Sequence, residues 1–590
     1  MLRDSFLRAI VLLGVALVVV TESLGVFRAI NRPALLICWI AILIIAAFWF
    51  PQKLTFVTTR DPVVLLCLAA CAAVLILTAI TAFFSPPNSA DAMAYHMPRV
   101  VYWAEQASVR FFPTQYFNQI MLQPLAEYAM LQTYVVSGGD HWINFVQWSA
   151  SLACMVGVSA VAAAFGAPPR GQALAALFCA TLPAGILASS SAKNDYVMAL
   201  WLIAAIYFAL RGDALFMGAA LGLALLTKAT AYLFAPWLLA AILVFRRLPL
   251  RSLAIAAACA LALNTPQFIR NYNLSGSIMG FDSAQGDGFF RWRNDRLGWK
   301  PAVSNILRNA SEQLGARSER WNNRVYNSVA WAHQILGINL NDPSTTWPWE
   351  HYAPPRNTNH EADAQNRWQV ALLIVIFGVL AWRVLRRGRD WERALYALAL
   401  VLGFASFCAY LKWQPTMARL FLPLFVCAAP LVGMLAEMNV CIQIALCVFL
   451  INNARPALFE NWVRPLRGPR SVLNLPRDRQ YFADMKPWNN EDSYFAAVDV
   501  LSQSNCRTIG IDITHFQLEY PLQALLREKI PSVNFMHTGV ENASSRYAPP
   551  VPQQPCAVVC MDCAGDATRL GMYGKFSRSV VAGRFVLFLD

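Results

Sequence analysis

Four charged residues stand where the chain leaves its apolar stretches, and each is of a type that moves a proton or holds an anion. Asp91 directly follows such a stretch in FFSPPNSADAMAYHMPR, with Tyr95, His96 and Arg99 one and two turns further on if a helix begins near Ala92. Asp195 opens a stretch in SSSAKNDYVMALW, Lys228 lies between two short ones in GLALLTKATAYLFAP, and Arg419 falls between LKWQPTM and LFLPLF. A charge beside hydrocarbon is costly and tends to be kept for function. A carboxylate so placed can act as a general base, and cations can grip a phosphate, Arg through a bidentate fork and Lys as a point charge. The same positions suit plainer duties, since Asp is a common helix N-cap and Lys and Arg anchor spans at the interface.

What must carry these residues is a membrane. Of 590 residues 57% are apolar and 14% charged, and the mean hydropathy is +0.42, too apolar for a soluble chain of this length. Unpaired backbone groups are costly in hydrocarbon, so the stretches must be helices, and the ten-residue alternation of a barrel is absent. They fall at 9–27, 34–50, 63–84, 144–165, 173–188, 196–210, 214–227, 231–245, 253–268, 369–382, 394–411, 420–436 and 440–452. The stretches at 173–188, 214–227 and 231–245 are too short to cross upright and are expected to be sheltered in the bundle or bent. The first stretch is expected to stay as an anchor, because a second follows directly and no A-x-A site intervenes.

Charge sets the orientation. With a cytoplasmic N-terminus, Arg3, Arg8, Lys53, Arg60, Arg170, Arg211, Arg246, Arg247, Arg251, Arg383, Arg386, Arg387, Arg389 and Arg393 gather on that side. Arg28, Arg32, Lys193, Lys228, Lys412 and Arg419 lie opposite. The positive-inside bias favours this arrangement. It puts residues 85–143, 269–367 and everything after about 453 outside the cytoplasm, and all four charged candidates on that side. The formal charge of +14 is then shared between cytoplasmic loops and a basic site for a phosphate-bearing lipid. No compact basic domain points to nucleic acid.

In the first outer loop, 94–107 and 125–137 mix aromatic and polar residues as interfacial helices do. The second is rich in Trp, Arg and Asn, and DPSTTWPWEHYAPPRNTNH reads as irregular. Beyond 453 the pattern changes to helix at 492–504 and 519–528 and strand at 507–513, 556–561 and 584–589, a small α/β domain. Ten cysteines lie in apolar stretches as small hydrophobes. Cys506, Cys556, Cys560 and Cys563 lie in the C-terminal domain, where disulfides and zinc both remain open.

The order of these pieces resembles the GT-C superfamily of polyprenyl-phosphate-dependent glycosyltransferases, in the branch of lipid A aminoarabinose transferase and the protein O-mannosyltransferases. The likeness covers roughly 63–436. Asp91 and Tyr95 look like the family's D-E-x-x-Y start of the first outer loop, and QPLAEY at 123–128 like its Pro-containing second element. Asp195 matches an aspartate opening a later span, LTK at 226–228 a helix-hairpin lysine, RNYNLSGSIMG at 270–280 the entrance to a large loop, and ARLFLP at 418–423 an Arg-x-x-x-Pro element. The second acid of the first motif is Ala92 here, which puts any metal role attached to it in doubt.

The resemblance implies a mainly α polytopic bundle. Two extra spans and a linker would occupy 1–62, a catalytic region 63–452, and an extracytoplasmic α/β domain 453–590. It implies an inverting glycosyltransferase of a bacterial inner membrane that uses a polyprenyl-phosphate sugar donor and a glycolipid, envelope glycan or protein acceptor. Asp91 and Asp195 would be catalytic, Lys228 and Arg419 would hold the donor phosphate, and Tyr95, His96, Arg99, Glu127 and Arg270 would bind substrate. No cofactor is fixed, and a divalent metal, with His96 as a candidate ligand, stays open. The rival classes are a transporter or flippase of a lipid-linked sugar, an O-antigen ligase or polymerase, and a non-catalytic assembly protein.

Overall fold

The computed structural model describes residues 2–49, 59–286, 288, 291–485, 491–514, 516–550 and 554–590; Lys53 and the last residue of the 34–50 stretch lie outside these. Every one of the apolar stretches falls on helix. Eight helices among the described residues are long and apolar enough to cross a membrane alone, or nine if one bent pair is a single span. The protein is a multi-pass membrane protein.

The short stretches are short for different reasons. The one at 173–188 is the bent pair, with Pro169–Ala180 and Pro183–Ser189 meeting at 67° where Pro183 interrupts the hydrogen-bond ladder. The helix Asp195–Arg211 is short because it lies inside the bundle. Every residue from Asp195 to Leu210 is buried, against Phe145–Ala164, Ala214–Thr227, Ala231–Arg246 and Leu422–Ala428. At 1.5 Å per residue it spans about 25 Å, less than the hydrocarbon thickness, but its head at Asp195 is enclosed by protein and only Arg211, at the other end, is exposed.

Small residues set the closest contact. Gly218 and Gly222, one turn apart on Ala214–Thr227, face Ala256 and Ala260 on Leu250–Ser275, and a Cβ on Gly218 would fall 2.4 Å from the Ala256 Cα. Asn264 Nδ2 donates to the Gly222 carbonyl at 2.9 Å across the same seam. Small-residue seams of this kind let backbones meet where lipid gives no hydrophobic drive to helix association.

The C-terminal domain is a five-stranded sheet. Its strands are β1 Thr508–Asp512, β2 Asn534–His537, β3 Ala557–Cys560, β4 Arg578–Ala582 and β5 Phe585–Leu589, ordered β2-β1-β3-β5-β4. β1 pairs parallel with β2 and β3, while β5 is antiparallel to β3 and β4. Cys506 is paired with Cys556 and Cys560 with Cys563, the disulfide alternative of the two.

This domain is seated on the first outer loop, whose helices Met97–Glu105 and Leu125–Ser137 it covers. Arg527 reaches Glu105 at 2.5 Å, and Asp140 accepts from Arg477, Tyr481 and Tyr520 at 2.8, 2.6 and 2.9 Å. Since Cys506–Cys556 closes a 50-residue separation, replacing both by Ala is expected to cost the domain about 4 kcal/mol on the chain-entropy account. Amide exchange in β1 and β3 would rise accordingly, and unchanged exchange would refute that role.

Candidate active site

Each of the four charged candidates sits where a helix begins or ends, and the structure pairs them. Asp195 is the first residue of the buried helix Asp195–Arg211, and Lys228 is the extended residue that terminates Ala214–Thr227. Lys228 Nζ lies 2.5 Å from Asp195 Oδ1. Asp91 precedes a π-helical turn, Ala92–His96, and makes no side-chain cap to it. Its carboxylate instead receives Arg419 Nη2 at 2.5 Å. Arg419 is held by the 3-10 turn Pro415–Phe421, and its Nε is buried without a hydrogen-bond partner. Helix capping, the plainer reading of both acids, gives way to ion pairing. Single π turns recur at functional sites because they re-aim side chains.

The two pairs form one cluster, since Asp195 feels the charge of Arg419, and Lys228 that of Asp91. Asp195 lies deepest, its side chain 3% exposed, whereas those of Asp91, Arg419 and Lys228 are 18 to 20% exposed. Burial by itself would raise the Asp91 carboxyl, but Arg419 and then Lys193 hold it below the usual carboxylate range, so it is ionised at neutral pH. Burial and the Asp91 charge push the Tyr95 phenol well up, which keeps it a proton donor beside that carboxylate.

A second charge layer lies behind the first, and sequence reasoning did not find it. Glu361 forms ion pairs with both Lys193 and Arg464, all three buried. Arg464 also donates to Asn88 Oδ1 at 2.8 Å and to the Leu187 carbonyl at 3.1 Å. His360 Nε2 meets Asp484 Oδ1 at 2.5 Å, and the other oxygen of Asp484 accepts the Ala90 N–H at 2.8 Å. The segment bearing Asp91 is thus clamped by the chain after the last span, which the second outer loop holds in turn through His360 and Glu361. The one available signal was an acid and a His side by side in NTNHEAD, within a loop read as irregular.

The remaining candidates have internal partners. His96 Nδ1 is 2.8 Å from Glu127, and Arg99 reaches Glu127 at 3.3 Å and the carbonyls of Gln119, Ile120 and Leu122 at 2.6 to 2.7 Å, with none of the three side chains more than 1% exposed. Through these contacts they brace the first outer loop. Arg270 donates to Glu22 at 2.7 and 2.8 Å and to the Tyr128 hydroxyl oxygen at 2.7 Å, which ties the extra N-terminal helix Leu2–Val26 to the bundle. Tyr95, its ring 4.2 Å from that of His96 and tilted by 40°, stays with Asp91, and His96 lies near enough to add to the positive charge Asp91 feels. The groups around Asp91 do not fit a divalent cation, because the foremost charges on it are the cations Arg419 and Lys193, His96 is engaged through Nδ1 by Glu127, and position 92 is Ala. Among the described residues, the potential ligands that do converge are Asp512, Cys560 and Cys563, whose thiols are in a disulfide.

No protein-family model matches the chain, and no curated protein matches it. Solved structures do. ArnT from Cupriavidus metallidurans bound to undecaprenyl phosphate superposes with a TM-score of 0.50 at 15% identity, covering 88% of this chain and 97% of that one. The chain has the GT-C fold. Archaeal oligosaccharyltransferase AglB from Archaeoglobus fulgidus, solved with an inhibitory peptide and a dolichol-phosphate, is also similar, with a TM-score of 0.45 and 11% identity over 86% of this chain and 70% of that one.

Two outcomes test the clamp. Arg464→Met leaves Glu361 with one cation for two oxygens in a buried site, and is expected to destabilise the protein by about 3 kcal/mol; an unchanged thermal midpoint in detergent would refute it. Burial would lower the His360 imidazole, but Asp363 and Asp484 raise it to about 9. A folded pKa above the unfolded one means full stabilisation below about pH 6.5, lost as pH rises through about 9. Protection of residues 357–365 from proteolysis should therefore fall across that window in the wild type and not in His360→Gln.

Proposed function

We propose that the protein is a membrane glycosyltransferase that takes a sugar from a polyprenyl-phosphate donor and delivers it, with inversion, to an acceptor outside the cytoplasm. The observation that carries this reading is the meeting of two carboxylates and two cations, from four separate segments, in one partly open cluster. Glycosyl transfer needs a base for the acceptor hydroxyl and cations for the departing phosphate. Asp91, ionised and at the open edge, is the base; Lys228 and Arg419 hold the phosphate, the unpartnered Arg419 Nε being free to donate to it. Asp195, at the floor, positions Lys228 through their ion pair. A base acting on the face opposite the phosphate gives inversion.

On this reading the catalytic region is 63–452, and the C-terminal domain, seated on the first outer loop, helps to place the acceptor. The acceptor is a glycolipid, an envelope glycan or a protein. The setting is a bacterial inner membrane with the N-terminus in the cytoplasm. A transporter would place its charges near span centres, whereas these four stand at helix ends.

Asp91→Asn is expected to lower turnover by about 10²- to 10⁴-fold in membranes, with the variant still inserted and resistant to mild heating. Near-wild-type turnover would remove Asp91 from the role of base. Lys228→Met and Arg419→Met are expected to weaken donor binding by about tenfold or more each, read by titration with undecaprenyl phosphate. Prior treatment with a chelator is expected to leave turnover unchanged, and its loss, restored by a divalent ion, would overturn the metal-free assignment.

A further inference from the structure

The second outer loop contains two amphipathic helices, Trp299–Glu312 and Glu319–Leu336, that no step above employs. Their inner faces are closed: Asn305, Arg308 and Asn309 from the first are buried, and so are Asn322, Val325, Val329 and His333 from the second. Ser304 Oγ lies 2.8 Å from His333 Nε2, which sets the start of the first helix beside the end of the second. At that shared end, Leu297, Trp299, Trp331 and Ile335 are each more than 60% exposed.

Bonds to the spans fix the depth of this hairpin. Asn305 Nδ2 donates to the carbonyls of Cys408 and Leu411 at 3.0 and 2.8 Å, and the Asn294 N–H to that of Tyr410 at 2.7 Å, all at the last turn of the span Trp391–Tyr410. At the other end, Arg367, the first residue of the span Arg367–Arg387, donates to the Gly315 carbonyl at 3.2 Å in the turn between the two helices. The first helix therefore lies across the ends of two neighbouring spans, at the level where hydrocarbon gives way to headgroups. Exposed Trp368 stands at the same level.

Charge completes the pattern. Arg320, Arg324, Trp331 and Ile335 recur on one face of Glu319–Leu336 at helical spacing, all exposed, and Arg296 and Lys300 flank Trp299. Tryptophan with neighbouring Arg and Lys is the composition of an interfacial surface, the rings entering the headgroup boundary and the cations meeting lipid phosphates.

We propose that this hairpin is a membrane-docking surface, which seats Trp299, Trp331 and Ile335 in the leaflet on which the active site opens and sets Arg296, Lys300, Arg320 and Arg324 on anionic lipid headgroups. Because the same loop supplies Glu361 to the clamp behind Asp91, the docking holds that loop from its lipid side.

The test uses the full chain in lipid nanodiscs. Trp331→Cys, Ile335→Cys and, as a control on an exposed position of the C-terminal domain, Asp499→Cys carry an environment-sensitive fluorophore. The unsubstituted protein, treated identically, gives the background from its own thiols. Phosphatidylglycerol with brominated chains is expected to quench the probes at 331 and 335 about threefold more than the one at 499. That excess should shrink when brominated phosphatidylcholine replaces it, and at high salt. Equal quenching at all three positions overturns the proposal. So does an emission shift at 331 and 335 that ignores the brominated chains and grows with the number of protein copies per disc, which would assign the face to a second copy. In the unmodified protein, amide exchange over residues 327–336 should be slower in phosphatidylglycerol discs than in phosphatidylcholine discs, and equal rates also overturn it.

Discussion

An uncompensated charge at the edge of hydrocarbon is among the costliest things a protein can hold, and this structure is arranged around neutralising four of them pairwise. Asp91 answers Arg419 and Asp195 answers Lys228, each at 2.5 Å. Removing one member of such a pair strands the other, so each pair fixes the position of the two segments that carry it. Together they lock the exit of the span Pro62–Phe84, the head of Asp195–Arg211, the break after Thr227 and the turn Pro415–Phe421 into one rim. Glu361, between Lys193 and Arg464, repeats the device one layer back and adds both ends of the outer architecture to the same lock.

The rest of the fold makes that rim rigid. A helix buried along its length puts Asp195 at a fixed depth, and the glycine and alanine seam between Ala214–Thr227 and Leu250–Ser275 fixes where the neighbouring helix stops, hence where Lys228 stands. The π turn after Asp91 is a local departure from regular helix at the rim, and the 67° bend between Ala180 and Pro183 redirects the chain one short helix before it reaches Asp195. Arg270, drawn to Glu22 and Tyr128, gives the N-terminal helix a part in this, since it ties that helix to the first outer loop rather than leaving it as a detached anchor.

The membrane class, the helices and the four rim charges were legible because each rests on local information: apolar runs of fixed length, and charged residues abutting them. β1, β3 and β5 were legible for the same reason, as compact apolar runs that end up central in the sheet. β2 and β4 are its two edges, partly exposed where the central strands are buried, and carry too few apolar residues to stand out. The pairing itself was not legible. Asp91 and Arg419 each stand out beside an apolar stretch, but nothing local says that one is the other's partner, and Arg464, in the chain after the last span, reads as a surface cation until Glu361 and Asn88 close on it. Composition also misdirects: an aromatic, polar loop looks interfacial whether lipid or another domain covers it. The first outer loop meets the C-terminal domain, and the second holds the exposed tryptophans.

Ion pairing at the rim bears on the order of events under the proposed glycosyl transfer. A carboxylate bound to a guanidinium is a weak base, because the cation stabilises its charged form, and Asp91 is so bound. A lipid phosphate that draws on Arg419 and Lys228 weakens the hold of Arg419 on Asp91 and restores basicity at the moment a donor is present. Without the donor, Asp91 stays ionised but poorly disposed to take a proton from any hydroxyl that wanders in, water included. The same interaction that holds the rim together then also keeps the base quiet until the phosphate competes for its partner, so donor binding precedes acceptor activation as a consequence of charge balance alone.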